Sequence, residues 1–240
     1  MTKFDLSLVL ACYNENQIFE NSIKEIFKNL DDTPYHYEII FVEDASQDNT
    51  KELIKTLLKK DKTHHLRAIY HQKNQGRGNS VRDGFLKAQG KVIGYIDIDL
   101  ETPAHYIPIF LKKVQEGFDV VCADRIYHFN LNSAIRWFSS KGYNRFRNAI
   151  LNLPLGDTEA GYKFFLRKTT LPIIKKTKEN HWFWDTEIMA LAYLNKLKIA
   201  YISTAFIKKK DKTSTVRVLP DTIEYLKKLF SFRQLIDSKK

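Results

Sequence analysis

The chain reads as an α/β protein: a mostly parallel, doubly wound sheet flanked by helices, in a single domain. Two observations predict this. Four short apolar runs each lead into a segment with apolar residues at helical spacing, joined by short connections, the pattern of consecutive strand–helix units. The acidic, polar and Gly-rich stretches fall at the ends of those runs, where ligands bind in such sheets.

Leu6 to Ala11 is the first strand, and Tyr13-Asn14-Glu15-Asn16 is a turn and helix start. Ile18, Ile23, Ile26, Phe27 and Leu30 then recur at helical spacing until Asp31 to Pro34 breaks the helix. Glu38 to Val42 is the second strand, followed by a helix whose apolar face is Leu53, Ile54, Leu57 and Leu58. Leu66 to Tyr70 is the third strand; Asn74 to Ser80 opens a helix through Val81, Phe85 and Ala88, stopped at Gly90. Val92 to Ile96 is a buried fourth strand. In the second half, Phe118 to Ala123, Gly161 to Leu166 and Lys198 to Ile207 read as strands, with helices over Ser133 to Asn152 and Thr186 to Leu194. The expected organisation is one domain over 1–218, with halves 1–101 and 102–218, and a basic amphipathic helix over 219–240.

The 240 residues suffice to bury a sizeable core, and 43% hydrophobic with 13% aromatic content excludes a disordered chain. The net charge is +11, and the segment Lys208 to Lys240 alone holds ten Lys/Arg against four Asp/Glu. That balance suits anionic lipid or phosphorylated substrates. No zinc-ligand spacing or nucleic-acid motif accompanies it, so a nucleic-acid partner is not expected. Cys12 and Cys122 lie in apolar runs and read as buried thiols of a reducing compartment. No run reaches the ~18–20 apolar residues of a membrane span, and the first apolar run lacks the form of a signal peptide. The expected location is cytoplasmic, peripheral at the cytosolic face of a membrane.

The stretch that organises the rest is Asp97-Ile98-Asp99-Leu100-Glu101-Thr102-Pro103 after the fourth strand. In extended chain its three carboxylates point one way. Their mutual repulsion calls for a cation, and hard oxygen ligands suit Mg²⁺ or Mn²⁺ shared with a diphosphate. A polar strand end with solvated acids would leave the same trace. Asp44 can accept hydrogen bonds from a base or ribose, whereas Asp48 reads as the cap of the next helix. Asn74-Gln75-Gly76-Arg77-Gly78 combines glycines, a cation and a helix start, features that let backbone approach a phosphate. It matches neither the P-loop nor Gly-x-Gly-x-x-Gly, which argues against a kinase or a dehydrogenase. Arg125, Arg136 and Lys141 offer guanidinium and ammonium groups to phosphate, or form a solvated basic face. His181-Trp182-Phe183-Trp184 can stack a sugar, line a lipid groove or pack in the core.

Taken in this order, these pieces resemble the inverting family 2 glycosyltransferases of the GT-A fold, in particular the branch that makes polyprenyl-phosphate sugars such as dolichyl-phosphate mannose and glucose. The resemblance runs from about Leu6 to Val216. It rests on Ala11 to Glu15, Val42 to Thr50, Asn74 to Gly78, Asp97 to Pro103 and Gly156 to Phe165. It implies that Tyr13, Glu15 and Asp44 hold the nucleoside of a UDP- or GDP-linked sugar, with Gly76 and Arg77 beside the donor. It further implies that Asp97, Asp99 and Glu101 hold the metal. Arg125, Arg136 and Ser140 would hold the phosphate of a polyprenyl acceptor, and Lys208 to Thr215, including Lys209, would close over the diphosphate. Glu43 stands where the family has Asp, Glu101 where Gln is common, Lys209 where Arg is common and Thr215 where Lys is common. Many relatives continue into transmembrane helices and some use small membrane partners, so a peripheral membrane contact or such a partner is expected. A phosphate acceptor needs no strong base. A glycan hydroxyl acceptor would need one, for which Asp157 or Glu159 is the candidate. A nucleotide- or lipid-binding module without catalysis is the third reading.

From Pro220 the chain reads as a helix with Leu219, Ile223, Leu226, Leu229 and Phe230 as an apolar stripe and Phe232 adjoining. Lys227, Lys228 and Arg233 lie alongside. Such a helix can lie in an anionic membrane interface or pack on its own protein.

Overall fold

The structure, a computed structural model, describes residues 3–63, 65–127, 142–208 and 218–238. Arg136, Ser140, Lys141 and Lys209 lie outside the described residues.

Its first half alternates as expected. The elements are β1 (Leu6–Cys12), α1 (Phe19–Asp31), β2 (Tyr37–Glu43), α2 (Thr50–Lys60), β3 (Leu66–Tyr70), α3 (Arg77–Lys87) and β4 (Val92–Ile96). A single 3-10 turn, Ala104–Tyr106, leads into α4 (Ile107–Gln115) and β5 (Val120–Tyr127). Then come α5 (residues 142–151) and β6 (Tyr162–Leu166), followed by α6 (Arg167–Ile174), α7 (Trp184–Leu194), β7 (Ile199–Phe206) and α8 (Val218–Asp237). The helices α4 and α6 are additions to the expected pattern. Each carries a proline: Pro108 stands at the start of α4, where its missing N–H costs nothing, and Pro172 lies within α6.

The seven strands form one sheet in the order β3-β2-β1-β4-β6-β5-β7. Pairing is parallel except at β6, which runs antiparallel to both β4 and β5. The fully parallel sheet of the strand–helix pattern therefore stops at β4. Helices cover both faces of the parallel half. Phe19 of α1 packs on Phe41 of β2, whereas Gly84 of α3 lies against Val9 and against the adjacent Val42, which points to the opposite face. Residues of β1, β2 and β4 are accordingly buried on both sides, which is why these strands read as continuous apolar runs.

A second, smaller cluster lies away from the sheet. Leu229, Phe232 and Ile236 of α8 are buried against Leu151, Leu153, Leu155, Phe183 and Ala190, with Tyr225 packed alongside. The face of α8 that packs is thus Tyr225, Leu229, Phe232 and Ile236. This corrects the expected stripe: Ile223 and Phe230 are 55% and 52% exposed. Among the described residues, no helix is long and apolar enough to cross a membrane.

Because Leu229 is fully buried at the centre of this cluster, Leu229→Ala should cost about 2–5 kcal/mol. Ile223→Ala should stay within about 0.5 kcal/mol. Urea unfolding of both variants checks the packing; equal costs would reject it.

Candidate active site

The sheet order makes a topological switch between β1 and β4, since the chain builds outward from β1 to β2 and β3 before returning to β4 on its other side. A cleft of about 510 Å³ opens there. One end is lined by Ala11, Cys12, Tyr13 and Glu15 from the end of β1, Asp44 after β2, and Asn74 and Gly76 before α3. Asp97, Ile98 and Asp99 after β4 also line it, and a further wall comes from Glu179, His181, Trp182 and Phe183 with Glu224, Tyr225 and Lys228, His181 lying directly against Gly76.

The loops at the strand ends are strained and cross-linked. Asn14, Ala45 and Leu100 occupy the left-handed region at φ 58°, 58° and 52°. For Ala and Leu that conformation costs on the order of 1–2 kcal/mol, and side-chain bonds hold it. Asn14 N–H donates to Ser46 Oγ at 3.1 Å and Gln47 N–H to Asn14 Oδ1 at 2.8 Å. Glu15 N–H donates to Thr50 Oγ1 at 2.8 Å. Asp48 accepts from the N–H groups of Thr50 at 2.9 Å and Asn16 at 3.1 Å, the expected capping role. Asp44 is buried and accepts from the N–H groups of Gln75 and Gly76 at 2.8 and 2.9 Å and pairs with His71 Nδ1 at 2.7 Å. Its carboxylate is fixed where the ends of β1 and β2 meet the cleft.

After β4 the chain does not continue extended, as the acid triplet led us to expect. It turns, with Leu100 N–H donating to Asp97 O at 3.1 Å. Burial still alternates, Ile98 and Leu100 inward, and Asp97 and Asp99 reach the cleft. Glu101 does not line it; its N–H bonds Asp99 Oδ1 at 3.1 Å and its carbonyl accepts from Ile207 N–H at 2.7 Å. Among the described residues, no three carboxylate, imidazole or thiol side chains gather into a metal cage. Two adjacent carboxylates remain. Burial raises the Asp97 carboxyl; Arg77 offsets part of the rise and Asp99 adds to it. Hard oxygen donors that repel each other in a cleft fit a divalent cation whose other ligands come from a substrate.

Arg77 lies between carboxylates. It donates to Asp97 Oδ1 through Nε at 2.9 Å and Nη2 at 2.7 Å, and through Nη1 to Asp185. Its guanidinium also lies over Tyr95 and Trp182, at 5.2 and 5.6 Å. Asp185 in turn accepts from the Tyr95 hydroxyl and from Lys163 Nζ at 2.6 Å. Lys163 is fully buried in β6 and also donates to Ala160 O at 2.5 Å and Tyr95 Oη at 2.8 Å. Burial pushes the Asp185 carboxyl up, but Arg77 and Lys163 outweigh it and hold it below the ordinary range. Gly161 closes this arrangement: its N-terminal position in the turn to β6 lets its carbonyl accept from Asp97 N–H at 2.8 Å, and any side chain there would collide with Asp97 and Arg77. Tyr95, Lys163 and Asp185 were not expected as site residues; only their surroundings, the Gly161-Tyr162-Lys163 segment and the aromatic run before Asp185, were conspicuous.

Arg125 and Asp157 do not line the cleft. They form a bidentate pair, Nε to Oδ2 at 2.7 Å and Nη2 to Oδ1 at 3.0 Å. Burial raises Asp157, but Arg125 holds it below the usual carboxylate range. Glu159 is raised by its burial. Arg147, on α5, is fully buried and donates to Thr158 Oγ1 at 2.7 Å and Gly156 O at 2.7 Å.

The family model for glycosyl transferase family 2 matches residues 7–170. The chain belongs to family 2 of the glycosyltransferases. Its fold is that of the GT-A enzymes. It superposes on glucosyl-3-phosphoglycerate synthase from Mycobacterium tuberculosis, solved with Mn²⁺, UDP-glucose and phosphoglyceric acid, with a TM-score of 0.72 at 14% identity, over 97% of this chain and 80% of that one. A dolichyl-phosphate beta-glucosyltransferase of Dictyostelium discoideum is 26% identical over 212 residues, covering 82% of this chain and 65% of the relative. An undecaprenyl-phosphate 4-deoxy-4-formamido-L-arabinose transferase of Shewanella sediminis is 27% identical over 176 residues, covering 73% of this chain and 51% of the relative. This family 2 glycosyltransferase therefore spans between half and two-thirds of the length of these relatives.

Lys163→Met should cost about 3–5 kcal/mol, because it leaves Asp185 short of a buried counter-charge. Asp157 and Asp185 both have depressed folded values, so their contribution is present above the ordinary carboxylate range. It should disappear as pH falls below about 4. Thermal unfolding across pH checks the sign: a melting temperature that rises on acidification would contradict it.

Proposed function

We propose that this glycosyltransferase transfers a sugar, with inversion, from a UDP- or GDP-linked donor to a polyprenyl phosphate. The observation that carries the reading is one continuous cleft at the β1/β4 switch. It joins Tyr13, Glu15 and the immobilised Asp44 to Asp97 and Asp99. The dolichyl- and undecaprenyl-phosphate relatives support the acceptor class, and the Mn²⁺ and UDP-glucose of the solved neighbour support the donor class.

Tyr13, Glu15 and Asp44 hold the nucleoside. Asp97 and Asp99 are the residues that would hold Mg²⁺ or Mn²⁺, with Glu101 the next carboxylate along the chain. When bound, such an ion stabilises the charge of the departing nucleoside diphosphate. Gly76, at φ 91°, is required where the loop before α3 turns and the His181 ring and Asn180 carbonyl close on it, which sets the start of α3 beside the donor. Arg77 keeps Asp97 aimed into the cleft. Arg125, oriented by Asp157, and Arg136 bind the acceptor phosphate, and Lys209 belongs to the segment that closes over the diphosphate. A phosphate is already anionic near neutral pH, so the protein's task is to position two anions against their repulsion. A second reading, transfer to a glycan hydroxyl, would need Glu159 or Asp157 as base, and neither of them lines the cleft. Glu159→Gln separates the two, since loss of chemistry with donor binding retained belongs only to the hydroxyl reading.

Asp99→Ala should abolish transfer and leave the melting temperature near that of the parent. Normal turnover by the folded variant, or full activity in excess EDTA, would reject metal-dependent transfer.

The enzyme works at a membrane surface, held there directly or by a small membrane protein. Exposed Ile223 and Phe230, with exposed Lys227 beside them on α8, support this, as does an acceptor whose lipid chain costs ~0.8 kcal/mol per CH₂ to withdraw from a bilayer. The parent should co-sediment with anionic liposomes at low salt, and an Ile223→Asp, Phe230→Asp variant should not. Equal binding by both would place the contact elsewhere, and binding by neither would leave a protein partner as the anchor.

A further inference from the structure

The match to the family model ends at residue 170, yet the cleft does not. Its nucleoside end and its acid pair come from inside the matched stretch. Another wall comes from outside it, from Glu179, His181, Trp182 and Phe183 and from one face of α8.

That wall is built, not incidental. The Glu187 carboxylate accepts the N–H groups of Lys178 at 3.0 and 3.1 Å and of Glu179 at 3.0 Å. Arg82 donates to the carbonyl of Thr177 at 3.2 Å and to Asn180 Oδ1 at 2.9 Å, while Asn79 N–H donates to Asn180 O at 3.0 Å. The segment is thereby tied to the start of α3, beside the glycines that flank Arg77. From the other side, the buried face of α8 fixes the helix, and the Tyr225 hydroxyl bonds Thr186 Oγ1 at 2.6 Å. This brings Lys228 Nζ to 3.1 and 3.0 Å from the two Glu179 oxygens and places Glu224 one turn earlier on the same rim.

The chemistry of the wall is specific. Two carboxylates and an ammonium accept from and donate to hydroxyl groups, and the half-exposed indole of Trp182 offers an apolar ring beside them. Ring stacking combined with directional hydrogen bonds at the ring's edge is how a pyranose is held. Among the described residues that line this part of the cleft, Lys228 is paired with Glu179 rather than grouped with further lysines or arginines. We propose that Glu179, Lys228, Glu224 and Trp182 form the subsite for the transferred sugar and set which sugar is accepted. This rests on the donor reading above and deepens it, placing the choice of sugar on residues beyond the matched stretch.

The test compares UDP and GDP with UDP-glucose, UDP-N-acetylglucosamine and GDP-mannose, each with Mn²⁺, by isothermal titration on the full chain. The variants are Glu179→Gln, Lys228→Met and Glu224→Gln; the last sits on an exposed position and does not threaten folding. The preferred nucleotide-sugar should bind about tenfold more weakly to each variant, with a changed order of preference among sugars. The free nucleoside diphosphate should bind within twofold of the parent. Equal weakening of nucleotide and nucleotide-sugar, or no change in either, would overturn the assignment. Failure of the parent itself to bind UDP or GDP would overturn the donor reading, an outcome visible before any variant is made.

Discussion

Beneath the cleft, four charges alternate in sign: Asp97, Arg77, Asp185 and Lys163. Two of them, Asp185 and Lys163, are 2% and 0% exposed. Moving an ion out of water costs several kcal/mol even after relaxation, so each must find its opposite within contact distance. The chain that satisfies this requirement has four different origins. Asp97 follows β4, Arg77 begins α3, Lys163 sits within β6 and Asp185 begins α7. The antiparallel insertion of β6 beside β4 is what delivers Lys163. A fully buried lysine in the later half of the sheet thus acts through Asp185 and Arg77 on the first carboxylate of the cleft.

The same principle governs the loops above. Left-handed Ala45 and Leu100 are unfavourable conformations retained where the chain must leave a strand and present a carboxylate within two or three residues. The bonds among Asn14, Ser46, Gln47, Asp48 and Thr50 make the β1 and β2 loops one unit. That end of the cleft is consequently held by the chain's own hydrogen bonds.

The parallel half was legible in the sequence because its strands are buried on both faces and announce themselves as uninterrupted apolar runs. Leu66–Tyr70 and Val92–Ile96 coincide with the expected strands to the residue. The positions of Tyr13, Glu15, Asp44, Gly76 and Asp97 around one cleft followed from strand ends alone. The buried charges did not. A lysine at position 163 or an arginine at 147 looks like any solvated cation, since burial of a charge depends on partners distant in sequence. The turn after β4 was hidden for a related reason: alternation of burial is the same in a strand and in this turn. For α8, periodicity supports two overlapping stripes sharing Leu229 and Phe232, and contacts distant in sequence, of Ile236 in the small cluster and of Tyr225 with Thr186, select between them.

The position of β6 also bears on the order in which the protein can be made. On the ribosome, β1 through β4 emerge together and can pair, since their parallel ladder needs nothing beyond Ile96. Arg77 and Asp97 then exist without Asp185 and Lys163, which emerge after a further 66 to 88 residues of chain. Until that moment the nascent sheet has an open edge at β4 and an incompletely balanced polar patch beside it. Synthesis at about 5–20 residues per second leaves that state exposed for several seconds. The cleft is complete only when the later half of the chain closes the sheet beside β4.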